Sequence, residues 1–223
     1  MKKLITLLLV LTGAVCTASA QRETAGYIRV AFTEETGTNH WTQSKFYICV
    51  NDQDEWPGVD VTDNTEEIDG KTYYYRDIDI STYGTSYNVQ AVNRDANGDS
   101  QSESAQWAIN GGDRYFGLKD NWDNGKRLAD MQVMYYVAST DGSIVKKASQ
   151  SGTTYSATFS ADACTNFIIA NTYAFTSTGV LNWDSEKNNM YRPNYDKNLS
   201  FENLTLSASD SEFARHQGNG SWV

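Results

Sequence analysis

Residues 44–52 read SKFYICVND, and the alternation in this stretch decides how the chain folds. In an extended strand successive side chains point to opposite faces, so Phe46, Ile48 and Val50 share one side while Tyr47, Cys49 and Asn51 share the other. The first side is uniformly apolar and predicts a core face. The second carries a ring, a thiol and an amide, and predicts a partly wet surface.

Working outward, the same pattern recurs. Short runs rich in Tyr, Val, Ile, Thr and Phe lie between clusters of Gly, Asn, Asp and Ser, and long helical periodicity is absent. The spacing predicts strands over Tyr27–Phe32, Lys45–Val50, Thr72–Ile78, Tyr87–Asn93, Trp107–Ile109 and Tyr115–Leu118. A second set follows over Met131–Ala138, Thr154–Phe159, Asn166–Asn171 and Leu199–Leu206. Between the sets KDNWDNGKRLAD, Lys119 to Asp130, is polar, contains glycine, shows no alternation and reads as a boundary. The expected fold class is all-β, with two tandem antiparallel β-sandwich modules of immunoglobulin-like architecture over residues 21–126 and 127–223. A single larger domain is the alternative that the length also accommodates.

The first residues stand apart. Lys2-Lys3, the apolar run that follows and Ala18-Ser19-Ala20 have the parts of a secretory signal peptide cleaved after Ala20. A secreted or cell-surface protein is expected, in the periplasm or at the outer membrane in a bacterial setting. A lipid anchor on Cys16 is the rival reading, although Gly13-Ala14-Val15 is a poor match to the segment such anchors need. No later apolar run approaches a membrane span, so an integral membrane protein is not expected. Loss of Lys2 and Lys3 takes the formal charge from −10 to −12, which repels a phosphate backbone and argues against nucleic acid as a partner. Cys49 and Cys164 then remain, each in an apolar run where a free buried thiol is expected rather than a disulfide framework. The sequons at Asn198, Asn203 and Asn219 matter only in a eukaryotic secretory pathway, and the short signal reads as bacterial.

The chain holds 14 Tyr and 6 Trp against 8 Phe, so amphipathic rings outnumber the purely apolar one. A pyranose asks for such rings, because its C–H face packs on an aromatic plane while its hydroxyls bond to amides and carboxylates. Antiparallel strands also favour aromatics on their own account, so position must decide. Trp56 sits in NDQDEWPGVDV, residues 51–61, among acids and ahead of a Pro-Gly pair. Pro57 restricts Trp56 to extended conformations and Gly58 permits a turn. Such a loop serves equally a ring presented to ligand and a ring folded back over the sandwich edge.

The span HWTQSKFYICVNDQDEWPGVDV, then GKTYYYRDIDI and NVQAVNRDANGDSQSES, resembles the starch-binding carbohydrate-binding modules of family 26, over roughly Tyr27 to Leu118. The resemblance implies a small β-sandwich that cradles α-1,4-glucan. Carried over by position, Trp56 would be the main stacking residue and Tyr47 its strand partner, with Asn93 and Gln101 bonding sugar hydroxyls. Cys49 stands where the family usually has a second strand aromatic. The segment FIIANTYAFTSTGVLNWDSEKNNMYRPNY is loosely similar to carbohydrate-binding domains of outer-surface starch-binding proteins of gut Bacteroidota, which implies a second platform at Trp183 and Tyr191. Amylases or glycan-import proteins are the partners so implied.

NRDANGD, Asn93 to Asp99, has oxygen-bearing residues at alternate positions but Ser104 where a calcium loop closes with Glu, and an Asn-Gly hairpin explains it, so no metal is expected. His40 and His216 lack ligand partners and no serine lies in a G-x-S-x-G context, so neither zinc nor serine hydrolase chemistry is expected, and no cofactor. The expected function is therefore non-catalytic recognition of starch-like α-glucan. A structural or adhesive surface protein is the alternative, and a small glycoside hydrolase using paired carboxylates a further one.

Overall fold

The computed structural model describes residues 22, 24–34, 45–98, 101–139, 145–151, 154–158, 167–176, 180–182, 190–193, 205–209 and 213–215. The alternation of SKFYICVND is realised as a strand in which Phe46, Ile48 and Val50 are buried in the core and Tyr47 is half-buried on the opposite face. The chain is all-β. Its strands are β1 (Tyr27–Glu34), β2 (Lys45–Val50), β3 (Val59–Asp60), β4 (Thr65–Ile68), β5 (Lys71–Asp79), β6 (Ser86–Arg94), β7 (Gln101–Glu103), β8 (Trp107–Asn110), β9 (Arg114–Asp123) and β10 (Lys126–Met131). Then come β11 (Tyr135–Ser139), β12 (Val145–Lys147), β13 (Ser149–Ser151), β14 (Thr154–Thr158), β15 (Phe167–Asn171), β16 (Met190–Pro193), β17 (Thr205–Ser209) and β18 (Phe213–Arg215). A single turn of helix, α1 (Ile80–Tyr83), follows β5, capped by Asp79, whose carboxylate accepts from the Ser81 N–H at 2.8 Å.

These strands form four sheets. The first has the order β10-β9-β1-β5-β4, and the second β3-β2-β6-β7 with β8 also on β6. The third is β12-β11-β15-β16-β18 and the fourth β13-β14-β17. Pairing is antiparallel except between β1 and β9, which run parallel with Val30 opposite Arg114. One core lies between the first and second sheets, where Ile28, Val30 and Phe32 of β1 meet Ile48 and Val50 of β2, Val89 of β6 and Leu118 of β9. Full burial of each such side chain contributes about 1.5–3 kcal/mol.

The other face of the first sheet is buried as well. Ala31, Tyr73 and Tyr115 pack with Tyr136 and Ala138 of β11, Ile168 and Ala170 of β15 and Met190 of β16. The Lys147 ammonium joins the two layers, donating to Glu66 at 2.6 Å and to the Tyr115 hydroxyl at 2.8 Å. Apolar partners on both faces explain why β1 reads as a near-continuous apolar run rather than an alternating one.

The stretch expected as a boundary is instead a hairpin. Lys119–Asp123 ends β9, Lys126–Met131 is β10, and the first sheet therefore runs past residue 126. The hairpin tip is exposed at every residue from Asp120 to Asn124, so burial imposes no alternation there for a sequence reading to detect. Strands β3, β4 and β7 also escape the sequence pattern, being two to four residues long and largely polar.

Candidate functional site

The loop between β2 and β3 is built on a charge. Asp54 accepts from the Val50 N–H at 2.7 Å, from Arg76 at 2.5 Å and from the Tyr83 hydroxyl at 2.8 Å, and Arg76 also donates to the Ile48 carbonyl at 3.0 Å. The side chains of Asp54 and Arg76 are each 7% exposed. In β5 the alternation places Arg76 on the inward side with Tyr74 and Ile78, so its charge needs a partner inside the sandwich edge. Asp54 supplies it. The acids before Trp56 thus include one that is committed to a buried ion pair.

Burial opposes ionisation of Asp54, but hydrogen bonds from Arg76, Val50 and Tyr83 outweigh it and hold the carboxyl below its ordinary value. A depressed folded value means that stability from this group is present above the unfolded value of 3.8 and is lost as pH falls through the folded one. The difference in urea midpoint between the wild type and Asp54→Asn is accordingly expected to be largest at neutral pH and to shrink on acidification below pH 4. A difference that stays constant across that range would contradict the assignment.

Downstream of Asp54 the chain turns back along β2. The Trp56–Pro57 peptide bond is cis. Gly58 has φ of 98° and lies so near β2 that a Cβ there would stand 2.5 Å from the Cys49 Cα. Only glycine accommodates both the dihedral and the approach. Between these anchors Trp56 leaves 45% of its surface in water.

The outer face of the second sheet lies beside this loop. One row across it runs Asp60, Tyr47, Val92, Glu103, the next Lys45, Arg94, Gln101, and Cys49 faces Gln90. Asn51, the first loop residue, donates to Gln90 at 2.8 Å, and Gln90 donates to Glu103 at 2.7 Å. Lys126 of the β9–β10 hairpin pairs with Glu103 at 2.5 Å. Arg94 bonds Gln101 at 3.2 Å and lies 6.0 Å from the Tyr47 ring centroid, at the outer reach of a cation–π contact. These groups form a hydrogen-bonded network from the Trp56 loop to the hairpin, and the face is covered at its middle, where Gln90 is 3% and Val92 0% exposed.

Of the residues singled out from sequence, Tyr47 and Gln101 lie on this face, and Trp56 rises from the adjoining loop. Asn93 does not join them. It is 0% exposed and falls on the inward side of β6 with Val89 and Ala91, while Arg94, one residue on, takes the outward place. Cys49 is free and buried, so the thiol that stands at this position does not reach solvent. Tyr191 lies in β16, its backbone paired with β15 and β18. Trp183 and Cys164 fall outside the described residues. Sequence reasoning passed over Arg76, Gln90 and Glu103; a charged residue at an inward position of an alternating strand was the available signal for the first.

Among the described residues no group of three or more His, Cys, Asp and Glu side chains gathers as a metal site, and no helix is long and apolar enough to cross a membrane. Comparison of the chain with family models, with curated proteins and with solved structures gives no significant match.

Proposed function

We propose that this chain is an exported, non-catalytic carbohydrate-binding protein that takes starch-like α-glucan on the outer face of its second sheet. The observation that carries the reading is Trp56, 45% exposed on a loop fastened by the buried Asp54–Arg76 pair, beside a sheet face on which Tyr47, Gln101 and Glu103 reach solvent. An amphipathic ring held half in water on an anchored loop, with polar groups beside it, is suited to meet a partner that has both an apolar face and hydroxyls. Stacking on a sugar uses the ring face, and the exposed Gln101 amide and half-buried Glu103 carboxylate serve hydroxyls, which both donate and accept. Export rests on the pattern of residues 1–20, and the choice of α-glucan on the resemblance of the Tyr27–Leu118 span.

On this face the carboxylates are spaced for binding rather than hydrolysis. Asp60 and Glu103 stand at opposite ends of one row, three strand spacings or about 14 Å apart at the backbone. Glycosidase carboxyl pairs stand about 5–9.5 Å apart. Burial, the largest single influence, raises the Asp60 value, but hydrogen bonds from Thr62 and the Lys45 charge together bring it below the ordinary value, the wrong direction for a general acid.

One ring contributes about 0.5–1.5 kcal/mol of stacking beyond area burial, so a single site is expected to bind on the order of micromolar to millimolar. In affinity electrophoresis through soluble starch, Trp56→Ala is expected to lose most of the retardation of the wild type, an affinity drop of about tenfold. Equal mobility of the two proteins in starch would sink the proposal.

A further inference from the structure

The first and third sheets do not close fully on each other. A cleft of about 100 Å³ lies between the β4–β5 hairpin, which supplies Ile68, Asp69, Lys71 and Tyr73, and the opposite wall of residues 132–135 with Ala148. Both walls are held by the protein itself. Ile68 pairs with Lys71 across a two-residue turn in which Asp69 and Gly70 have φ of 50° and 72°, the geometry that matches strand twist and fixes its flanks. On the other wall the Gln132 N–H donates to the Tyr115 carbonyl at 2.7 Å, the Met134 N–H to the Thr172 hydroxyl at 2.9 Å and the Ala148 N–H to the Tyr135 carbonyl at 2.8 Å. The cleft is preformed, as small-molecule sites usually are.

Tyr73 is the member that packing does not explain. It is 2% exposed and its ring meets Tyr115 edge-on with centroids 5.6 Å apart, yet its hydroxyl has no hydrogen-bond partner among the described residues. Buried hydroxyls normally bond, so one left open in the lining of a cleft marks a place that an occupant completes. Burial, and after it the charges of Asp69 and Glu66, push this phenol up to about 12, so near neutral pH it is uncharged and can both donate and accept.

The lining sets the chemistry of the occupant. Asp69 only accepts and Lys71 only donates, while the Gln132 amide and the Tyr73 hydroxyl do both. A net anion would meet the Asp69 carboxylate and a net cation the Lys71 ammonium, whereas a neutral group bearing several hydroxyls suits all four. Ile68, Met134 and Val133, the last 41% exposed, add apolar surface that C–H groups cover better than water does. The volume of about 100 Å³ is less than the roughly 150 Å³ that takes a benzene ring whole, so an occupant seats one edge of a ring and leaves the rest in solvent.

We infer that this cleft is a separate sugar site, which takes a single neutral pyranose residue edge-on, with its hydroxyls on Tyr73, Asp69, Lys71 and Gln132 and its C–H groups against Ile68 and Met134. The inference rests on the carbohydrate-binding reading above, which selects a sugar among neutral hydroxylated ligands, and adds to it a site independent of Trp56.

The test is an NMR titration of the full chain with glucose and with maltotriose, comparing wild type, Tyr73→Phe and Lys71→Met. The Ile68 and Met134 methyl resonances report on the cleft and the Trp56 indole N–H on the loop. In wild type the methyl resonances are expected to shift and saturate with both sugars. Tyr73→Phe removes only an unpartnered hydroxyl, so its thermal midpoint should equal or exceed that of wild type while the affinity read at the methyl groups falls by about tenfold. Lys71→Met, which keeps an apolar stem, should weaken it by a similar factor. A Trp56 resonance that shifts with maltotriose while the methyl groups answer neither sugar would overturn the cleft and leave the general reading standing. The reverse pattern would support the cleft and overturn the role of Trp56, and silence at both would overturn both. Tyr73→Phe binding as tightly as wild type would mean that only water meets the hydroxyl and overturn the inference. A lowered Tyr73→Phe midpoint with unchanged binding by Lys71→Met would assign the hydroxyl a structural role and overturn it as well.

Discussion

Replacing Arg76 by alanine is expected to lower the unfolding free energy by about 3–5 kcal/mol. The change leaves the Asp54 carboxylate inside the sandwich edge without its cation, and strips donors from the Ile48 carbonyl and the Tyr83 hydroxyl. Removing one partner of a buried pair is costlier than removing both, because the survivor keeps its desolvation penalty. Urea denaturation checks the size of the effect. The double change Asp54→Leu with Arg76→Met should recover a good part of the loss. A drop below about 1 kcal/mol in the single variant would mean that water reaches Asp54 and satisfies it. Because Asp54 fastens the loop that presents Trp56, starch retardation should fall in parallel with stability at temperatures where the variant is still folded.

Gly58→Ala is the second large effect. Alanine at a positive φ of 98° meets backbone strain of about 1–2 kcal/mol. Its Cβ also falls 2.5 Å from the Cys49 Cα and 2.6 Å from the Ile48 carbonyl oxygen, backbone atoms that cannot swing aside. Overpacking of this kind adds about 1–3 kcal/mol. The cheapest escape is for the loop to lift off β2, which breaks the pairing of Val59 and Asp60 and moves Trp56. Gly58→Ala should thus lower both the thermal midpoint and the affinity for starch. A variant with unchanged midpoint and binding would show that the loop does not need this close contact.

The sequence disclosed what burial writes into it. Strands with a face wet at its ends, such as β2 and β6, carry period-two alternation there and were legible almost to the residue. The tip of the β9–β10 hairpin was not, since residues exposed on both faces are under no such constraint and read as linker. Asn93 and Arg94 illustrate the limit at the site, because one step along a strand exchanges inside for outside, and Asn93 chemistry alone points outward. The Asp54–Arg76 pair was hidden for a different reason. Twenty-two residues separate its members, and only the packing of two sheets makes them neighbours. Trp56 could be singled out locally, since its acidic and Pro-Gly surroundings offered no apolar shelter.

The parallel pairing of β1 with β9 has a consequence for how the chain is made. The Arg29 N–H finds its acceptor, Asp113, only 84 residues later, and β9 completes the centre of the first sheet from there. As a growing chain emerges, β1 can pair with β5 on one side while its other edge stays open until that distant strand arrives. Such long-range closure is slow, and an unpaired apolar edge is a template for sticking to other chains. The vulnerable moment in the life of this protein is therefore its folding, before β9 reaches β1, and helpers that shield unpaired strands would act on β1.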